Sequence, residues 1–248
     1  MKPWREGYAS ALTLIEVLIV VAIIGILAAL LLAGISRAKG RAQQIQCVNN
    51  LHQLGRGLQG FLANNHGYPS AIAGEGDDYP GTWMAQLSRE GLGASKLDKE
   101  YFTTGVWRCP SAQWSTLMPA DSIPTYYSYN AYGSLRVGNM TNALGLLGHR
   151  SADSHKFVRI AESEVANPSD MMAVGDSFDA AVFFMRSGLA GLERYGNIRT
   201  RHHGKVNVVF CDGHVESPTL EFVFEDTSDA ALVRWNRDHL PHRELLGQ

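Results

Sequence analysis

Cysteine is scarce in this chain, with Cys47, Cys109 and Cys211 the only three among 248 residues. That is too few for a disulfide-built scaffold, and no close Cys-x-x-Cys pair is present to start a zinc ribbon. One bridge with one thiol left over is the most they allow. A charge excess of one sign is missing as well: the formal net charge is -2, so no global field exists to hold nucleic acid, and no nucleic-acid partner is expected. The chain also lacks internal repeats, low-complexity linkers, a glycine-rich phosphate loop and a nucleophile-elbow pattern. What is present is a hydrophobic fraction of 45%, ordinary for a globular protein and enough for one domain plus an appendage. Many of the 25 glycines fall between residues 133 and 213, which predicts turns there instead of long helices.

The apolar residues are unevenly distributed. From Leu12 to Ala33 the chain reads LTLIEVLIVVAIIGILAALLLA, 22 residues in which Thr13 and Glu16 carry the only polar side chains. About 20 helical residues cross a hydrocarbon core of ~30 Å, so this run predicts a membrane span. Lys2 and Arg5 precede it and favour a cytoplasmic N-terminal end, whereas Arg37, Lys39 and Arg41 beyond it weaken that orientation argument. The run exceeds the apolar core of roughly 7–15 residues in a secretory signal peptide, although small residues near Ala28 and Ala33 offer an alternative cleavage region.

Glu16 is the anomaly in this stretch, because a carboxylate among membrane-embedded aliphatic residues costs several kcal/mol unless it finds a partner or reaches the hydrated interface. The segment Ala11-Leu12-Thr13-Leu14-Ile15-Glu16-Val17-Leu18 resembles the processing site of type IV prepilins. By that resemblance a prepilin peptidase would cut between Ala11 and Leu12, and the new amine of Leu12 would be methylated. The usual residue before the cut is glycine; here it is Ala11. The resemblance further implies that Glu16 pairs with the N-terminal amine of a neighbouring subunit. Two opposite charges in lipid persist only if they meet, so such a pair would set the register between adjacent helices.

Beyond the span, Ile35, Ala38, Ala42, Ile45, Leu51, Leu54, Leu58 and Phe61 recur at helical steps and predict one apolar stripe. Arg37, Lys39, Arg41, Gln44 and Asn50 would lie on the opposite face. Gly40, Gly55, Gly57 and Gly60 lower helix propensity by ~1 kcal/mol each relative to alanine and are candidate bend points. The turn formers in Asn64-Asn65-His66-Gly67-Tyr68-Pro69 should end the helix.

In the remaining chain, apolar runs at 125–129, 171–174 and 206–211 predict antiparallel strands separated by long loops. Asp212-Gly213 inside the run from Lys205 to Glu216 predicts a hairpin, since glycine tolerates the positive φ of the turn; Val206, Val208 and Phe210 should face the core together. His202, nine intervening residues and then Asp212-Gly213 resemble the His-x9-Asp-Gly signature of a group of pilin-like proteins. Cys47 with Asn49 to Leu54, Tyr68-Pro69, Cys109-Pro110-Ser111, Tyr127 to Asn130, Asn167 to Asp170 and Gly175-Asp176-Ser177 resemble the same group. The likeness assigns no role to His202, Asp212 or Gly213.

For metal chemistry the chain offers His202, His203, His214, Asp212, Asp238, His239 and His242, without a recognised zinc spacing. The structural alternative has His202 or His203 hydrogen-bonded to a loop carbonyl and Asp212 capping its own turn. Asp176, Asp179 and Asp212 are candidate oxygens for calcium, which related secretion pseudopilins hold in loops, but no twelve-residue calcium loop is present. Neither Ser128 nor Ser177 comes with an identifiable histidine base. Export would place the cysteines in an oxidising compartment, where a Cys47–Cys109 bridge would tie helix to head with Cys211 buried; sequence alone does not choose the pairing.

The expectation is therefore an α+β protein: leader 1–11, membrane and assembly helix 12–65, and an extracytoplasmic head 66–248 with antiparallel sheet and long loops. The expected function is a structural, non-enzymatic subunit of a type IV pilus-like or type II secretion pseudopilus-like assembly, without a cofactor or metal. Its partners would be prepilin peptidase/methyltransferase, other pilin-like subunits and membrane lipid. It would be single-pass in the inner membrane with a periplasmic or extracellular head. The rival is a membrane-anchored extracytoplasmic binding or adhesion module, with metal binding as one option, that does not polymerise.

Overall fold

The computed structural model describes residues 13–71, 82–98, 100–114, 125–134, 143–150, 157–178, 189–192 and 197–246. Two compact units divide the chain, Met1–Ala42 and Gln43–Gln248, and the long helix α1 (Leu14–Asn65) contributes to both.

In the first unit the aliphatic side chains of α1 are exposed, from Leu14 at 86% to Leu32 at 67%. Among the described residues this is the one helix long and apolar enough to cross a membrane by length and composition.

In the second unit α1 buries Cys47, Leu51, Leu54, Leu58 and Phe61. Steps of four, three, four and three put these side chains on one helix face. The burial therefore begins later than the sequence pattern suggests. Ile35 and Ile45 are 54% and 61% exposed, and Ala38 and Ala42 are exposed as well. Asn50, expected on the polar face, is instead buried, and its Nδ2 donates to the Arg108 carbonyl at 2.7 Å. Periodicity locates a face; it cannot say where along the helix a covering layer starts. The helix ends within the predicted turn. His66 N–H donates to Leu62 O at 2.8 Å, and the left-handed residue is His66 (φ 52°), not Gly67. Gly67 instead pairs with Ala161, and a Cβ there would stand 3.0 Å from Ile160 O.

After a short helix α2 (Thr82–Gln86) running into a wide turn at Leu87–Gly91, the strands are β1 (Tyr127–Tyr129), β2 (His149–Arg150), β3 (Phe157–Val158), β4 (Met172–Asp176), β5 (Val208–Phe210) and β6 (Val215–Glu216). Four of them form an antiparallel sheet in the order β1-β4-β5-β6, while β2 and β3 make a separate pair. The three predicted apolar runs thus become β1, β4 and β5. Short helices α3 (Leu189–Leu192), α4 (Leu220–Phe224) and α5 (Asp229–Leu232) complete the unit.

Strands β1, β4 and β5 are buried on both faces, and β6 at the edge is half-buried. Val209 and Cys211 pack with Cys47, Leu54 and Phe61 of α1 in one cluster. Val206, Val208 and Phe210 face together, as their alternation predicts, into a second cluster with Leu220, Phe224 and Trp235. Successive side chains of β5 therefore enter different cores, and the strand pins the C-terminal helices and α1 to one backbone.

Candidate functional site

At the start of α1, Thr13 and Glu16 satisfy each other. Thr13 N–H and Thr13 Oγ1 both donate to Glu16 Oε2 at 2.8 Å, while Glu16 N–H donates to Thr13 Oγ1 at 3.3 Å. This is a reciprocal capping box, and Thr-Leu-Ile-Glu carries its Thr-x-x-Glu spacing. The prepilin resemblance implies a partner for Glu16 on another molecule; the structure adds partners within its own chain. Ala11 and Leu12, the expected cleavage and methylation residues, lie outside the described residues.

The signature histidine occupies a buried polar centre. Arg201, His202 and His203 form one tight turn in which His202 (φ 52°) and His203 (φ 57°) are left-handed. Side chains with a Cβ resist that conformation by about 1–2 kcal/mol each. The turn at His202 brings its ring to a buried carboxylate and a sulfur. Its Nε2 lies 3.3 Å from Asp176 Oδ2 and 3.4 Å from Cys109 Sγ.

Asp176, at the end of β4, is fully buried, and three groups converge on its carboxylate. Arg201 Nη2 donates to Oδ1 at 3.1 Å, Asn207 N–H donates to Oδ2 at 2.8 Å, and His202 approaches the same Oδ2. Burial alone would raise the Asp176 pKa; Arg201, His202 and the Asn207 N–H outweigh it and hold the carboxyl below the ordinary aspartate value. Arg201 also donates from Nη1 to Ser177 O at 2.6 Å and lies over the Phe178 ring at 5.0 Å. Buried atoms without a hydrogen-bond partner in this centre are Arg201 Nε, His202 Nδ1 and Asn207 Nδ2.

Cys47 and Cys109 are joined as a disulfide, with Cα atoms 5.0 Å apart, closing α1 onto the segment that follows Trp107. Asn50 to Arg108 O, and Tyr127 Oη to Cys47 O at 3.5 Å, brace the same junction. Cys211 is free and buried, and burial pushes its thiol pKa up, away from reactivity.

The other half of the signature is elsewhere. Gly213 N–H donates to Phe210 O at 2.9 Å and Phe210 N–H to His214 O at 2.9 Å, so the β5–β6 turn contains Cys211, Asp212 and Gly213. Gly213 has φ 89°, the left-handed position closing this three-residue loop. Asp212 accepts from its own turn, at His214 N (3.1 Å) and His214 Nδ1 (2.6 Å). The capping role expected of Asp212 is therefore present, whereas His202 meets a carboxylate and a sulfur in place of the expected loop carbonyl.

His202 and Asp212 share no partner. Each instead leads to α1: His202 through Cys109 to Cys47, and the Asp212-Gly213 turn through Gly55 and through Gln59 Nε2, which donates to Cys211 O at 2.8 Å. In this chain the two ends of the His202-x9-Asp212-Gly213 pattern are two anchor points on one helix.

No family model, curated protein or solved structure matches this chain. A long N-terminal apolar helix joined to a small antiparallel sheet is compatible with a pilin-like fold.

The remaining candidates are dispersed. His203 is exposed; His242 pairs with Asp238 at 2.7 Å and Glu244 at 3.2 Å; His239 Nε2 is 3.8 Å from Asp170. Asp179 lies outside the described residues, and Asp176 is engaged by Arg201 and Asn207. Ser128 and Ser177 are buried. Among the described residues, the group whose donor atoms gather within 4.8 Å is Cys47, Cys109 and His202. Sequence reasoning did not group these three, because separations of 62 and 93 residues leave no local motif to find.

Proposed function

We propose that this protein is a structural subunit of a type IV pilus-like or type II secretion pseudopilus-like assembly, processed by a prepilin peptidase. The observation that supports it is the exposed aliphatic helix opening on Thr13 and Glu16, continuous in sequence with a stripe that is a core element of a separate folded unit. An unpartnered apolar helix of this length needs lipid or other helices to cover it. In this reading lipid covers it before assembly and neighbouring subunits afterwards, with the head outside the inner membrane. Methylation at Leu12 and the pairing of Glu16 with a neighbour's amine follow from the prepilin resemblance.

The Thr13–Glu16 capping box favours a second reading, a membrane-anchored binding module in which Glu16 serves only its own helix. Glu16→Gln separates the two, because glutamine fills a capping box but carries no charge. Assembly by a charge pair predicts that Glu16→Gln and Glu16→Ala both remain in the membrane and both fail to enter filaments. If Glu16→Gln assembles normally, the charge-pair role is lost. Mass spectrometry of the mature N-terminus tests processing: a methylated Leu12 is expected, and an intact Met1 or a start near Gly34 overturns it.

A further inference from the structure

We propose that, once the Cys47–Cys109 bridge is reduced, the two cysteine sulfurs and His202 Nε2 form a binding site for a zinc-class divalent cation, with Asp176 as the adjacent carboxylate. This inference does not depend on whether the chain polymerises.

Four observations carry it. The three donor atoms are buried and lie within 4.8 Å of one another. Donors bound at ~2.0–2.3 Å around a tetrahedral zinc are separated by roughly 3.3–3.8 Å, and the Cys109 Sγ to His202 Nε2 distance is 3.4 Å. Thiolate and imidazole are the donor set that selects zinc over calcium or magnesium. The position of Nε2 is imposed by a left-handed turn, so the donor is already oriented.

Charge also fits. Two thiolates and a divalent cation sum to zero, so exchanging the disulfide for the metal adds no net charge to a centre in which Arg201 already neutralises Asp176. To bind, Nε2 must be unprotonated and the imidazole proton must reside on Nδ1. Nε2 then gives up its approach to Asp176, whose oxygens retain Arg201 and the Asn207 N–H. Asp176 Oδ2, 3.3 Å from Nε2, is the buried carboxylate oxygen beside these donors.

The chemistry balances with a named reductant. A trialkylphosphine attacks one sulfur, the S–S bond breaks, and water supplies the oxygen of the phosphine oxide and the two protons of the thiols. Zinc then displaces both thiol protons as two S–Zn bonds form. Disulfide and metal are alternative closures of the same junction between α1, the segment around Cys109 and the turn at His202.

The test uses the full chain in detergent micelles, reduced with trialkylphosphine under anaerobic conditions and titrated with cobalt(II) or zinc. One equivalent of cobalt should give a sulfur-to-metal charge-transfer band and tetrahedral d–d absorption, both removed by zinc, and zinc should raise the thermal transition of the reduced chain alone. His202→Ala should weaken cobalt binding by about tenfold or more, and Cys211→Ser should leave it intact. Absence of the band in a reduced, folded chain overturns the proposal, as does an equal band in the Cys47→Ser/Cys109→Ser variant. If reduction unfolds the chain, recovery of its near-UV dichroism on adding zinc supports the site, and failure to recover refutes it.

Discussion

A Cβ placed on Gly55 would stand 2.5 Å from the carbonyl oxygen of Gly213, so the β5–β6 turn rests directly on the α1 backbone. Gly213 faces back with φ 89°, and a Cβ there would stand 3.1 Å from Gln59 Cγ. The contact joins residues 158 positions apart (213 − 55) and requires glycine on both sides.

The two substitutions should therefore be destabilising. Gly213→Ala incurs the left-handed penalty of about 1–2 kcal/mol, and Gly55→Ala should lose about 1–3 kcal/mol from overpacking despite alanine's better helix propensity. Gly40→Ala is the control, because nothing lies within 4 Å of a Cβ there. It should raise stability by up to ~1 kcal/mol. Denaturant unfolding in detergent measures all three, and a uniform sign across them would refute the close-approach account.

The disulfide should be worth about 2–4 kcal/mol in zinc-free buffer. Its loop encloses a sequence separation of 62 residues. Thiol titration of the unfolded, unreduced chain should find one reactive group, Cys211, and reduction should expose all three cysteines. In the native chain Cys211 should resist alkylation, being buried with a raised thiol pKa.

Arg201→Leu should be among the most damaging single changes in the head. It removes the cation from a fully buried carboxylate, and breaking such a pair on one side costs about 3–5 kcal/mol. The double variant Arg201→Leu/Asp176→Asn should recover part of the loss, because no uncompensated charge remains. A double variant no more stable than the single one would show that the guanidinium acts by packing on Phe178.

Acid should weaken the same centre. Asp176 titrates below its ordinary value in the folded chain, so its contribution is fully present above the unfolded value of about 3.9 and is lost as pH falls toward the folded pKa. Between neutral pH and about 5 this carboxylate contributes no slope; below about 5 stability should fall progressively, and Asp176→Asn should flatten that limb. Thermal unfolding as a function of pH reads the difference.

Much of the fold is legible in local patterns. The apolar run, the turn after Asn64, the three strand segments and the Asp212-Gly213 hairpin each arise from residues within about ten positions, where helical or strand periodicity and turn chemistry act directly. By propensity alone the glycines of α1 are weak points. Gly55 and Gly57 are instead contact points: Gly57 faces Leu92 Cδ2, 2.6 Å from where a Cβ would be, and Gly91 faces the Gly57 carbonyl. Local propensity gives only the cost of such a residue; the compensating approach comes from a distant segment.

The sequence by itself determined that one end of this chain is an aliphatic helix able to span a membrane and that the rest contains antiparallel strands closed by an Asp-Gly turn, because both follow from side-chain spacing along a short stretch. Tertiary structure decided that burial on α1 begins at Cys47, that Asp176 shares a dry centre with Arg201 and His202, and that the two ends of the His-x9-Asp-Gly pattern brace different turns of one helix. Those outcomes depend on which distant groups exclude water together. A buried charge can be matched only by whatever partner the packed chain brings within reach.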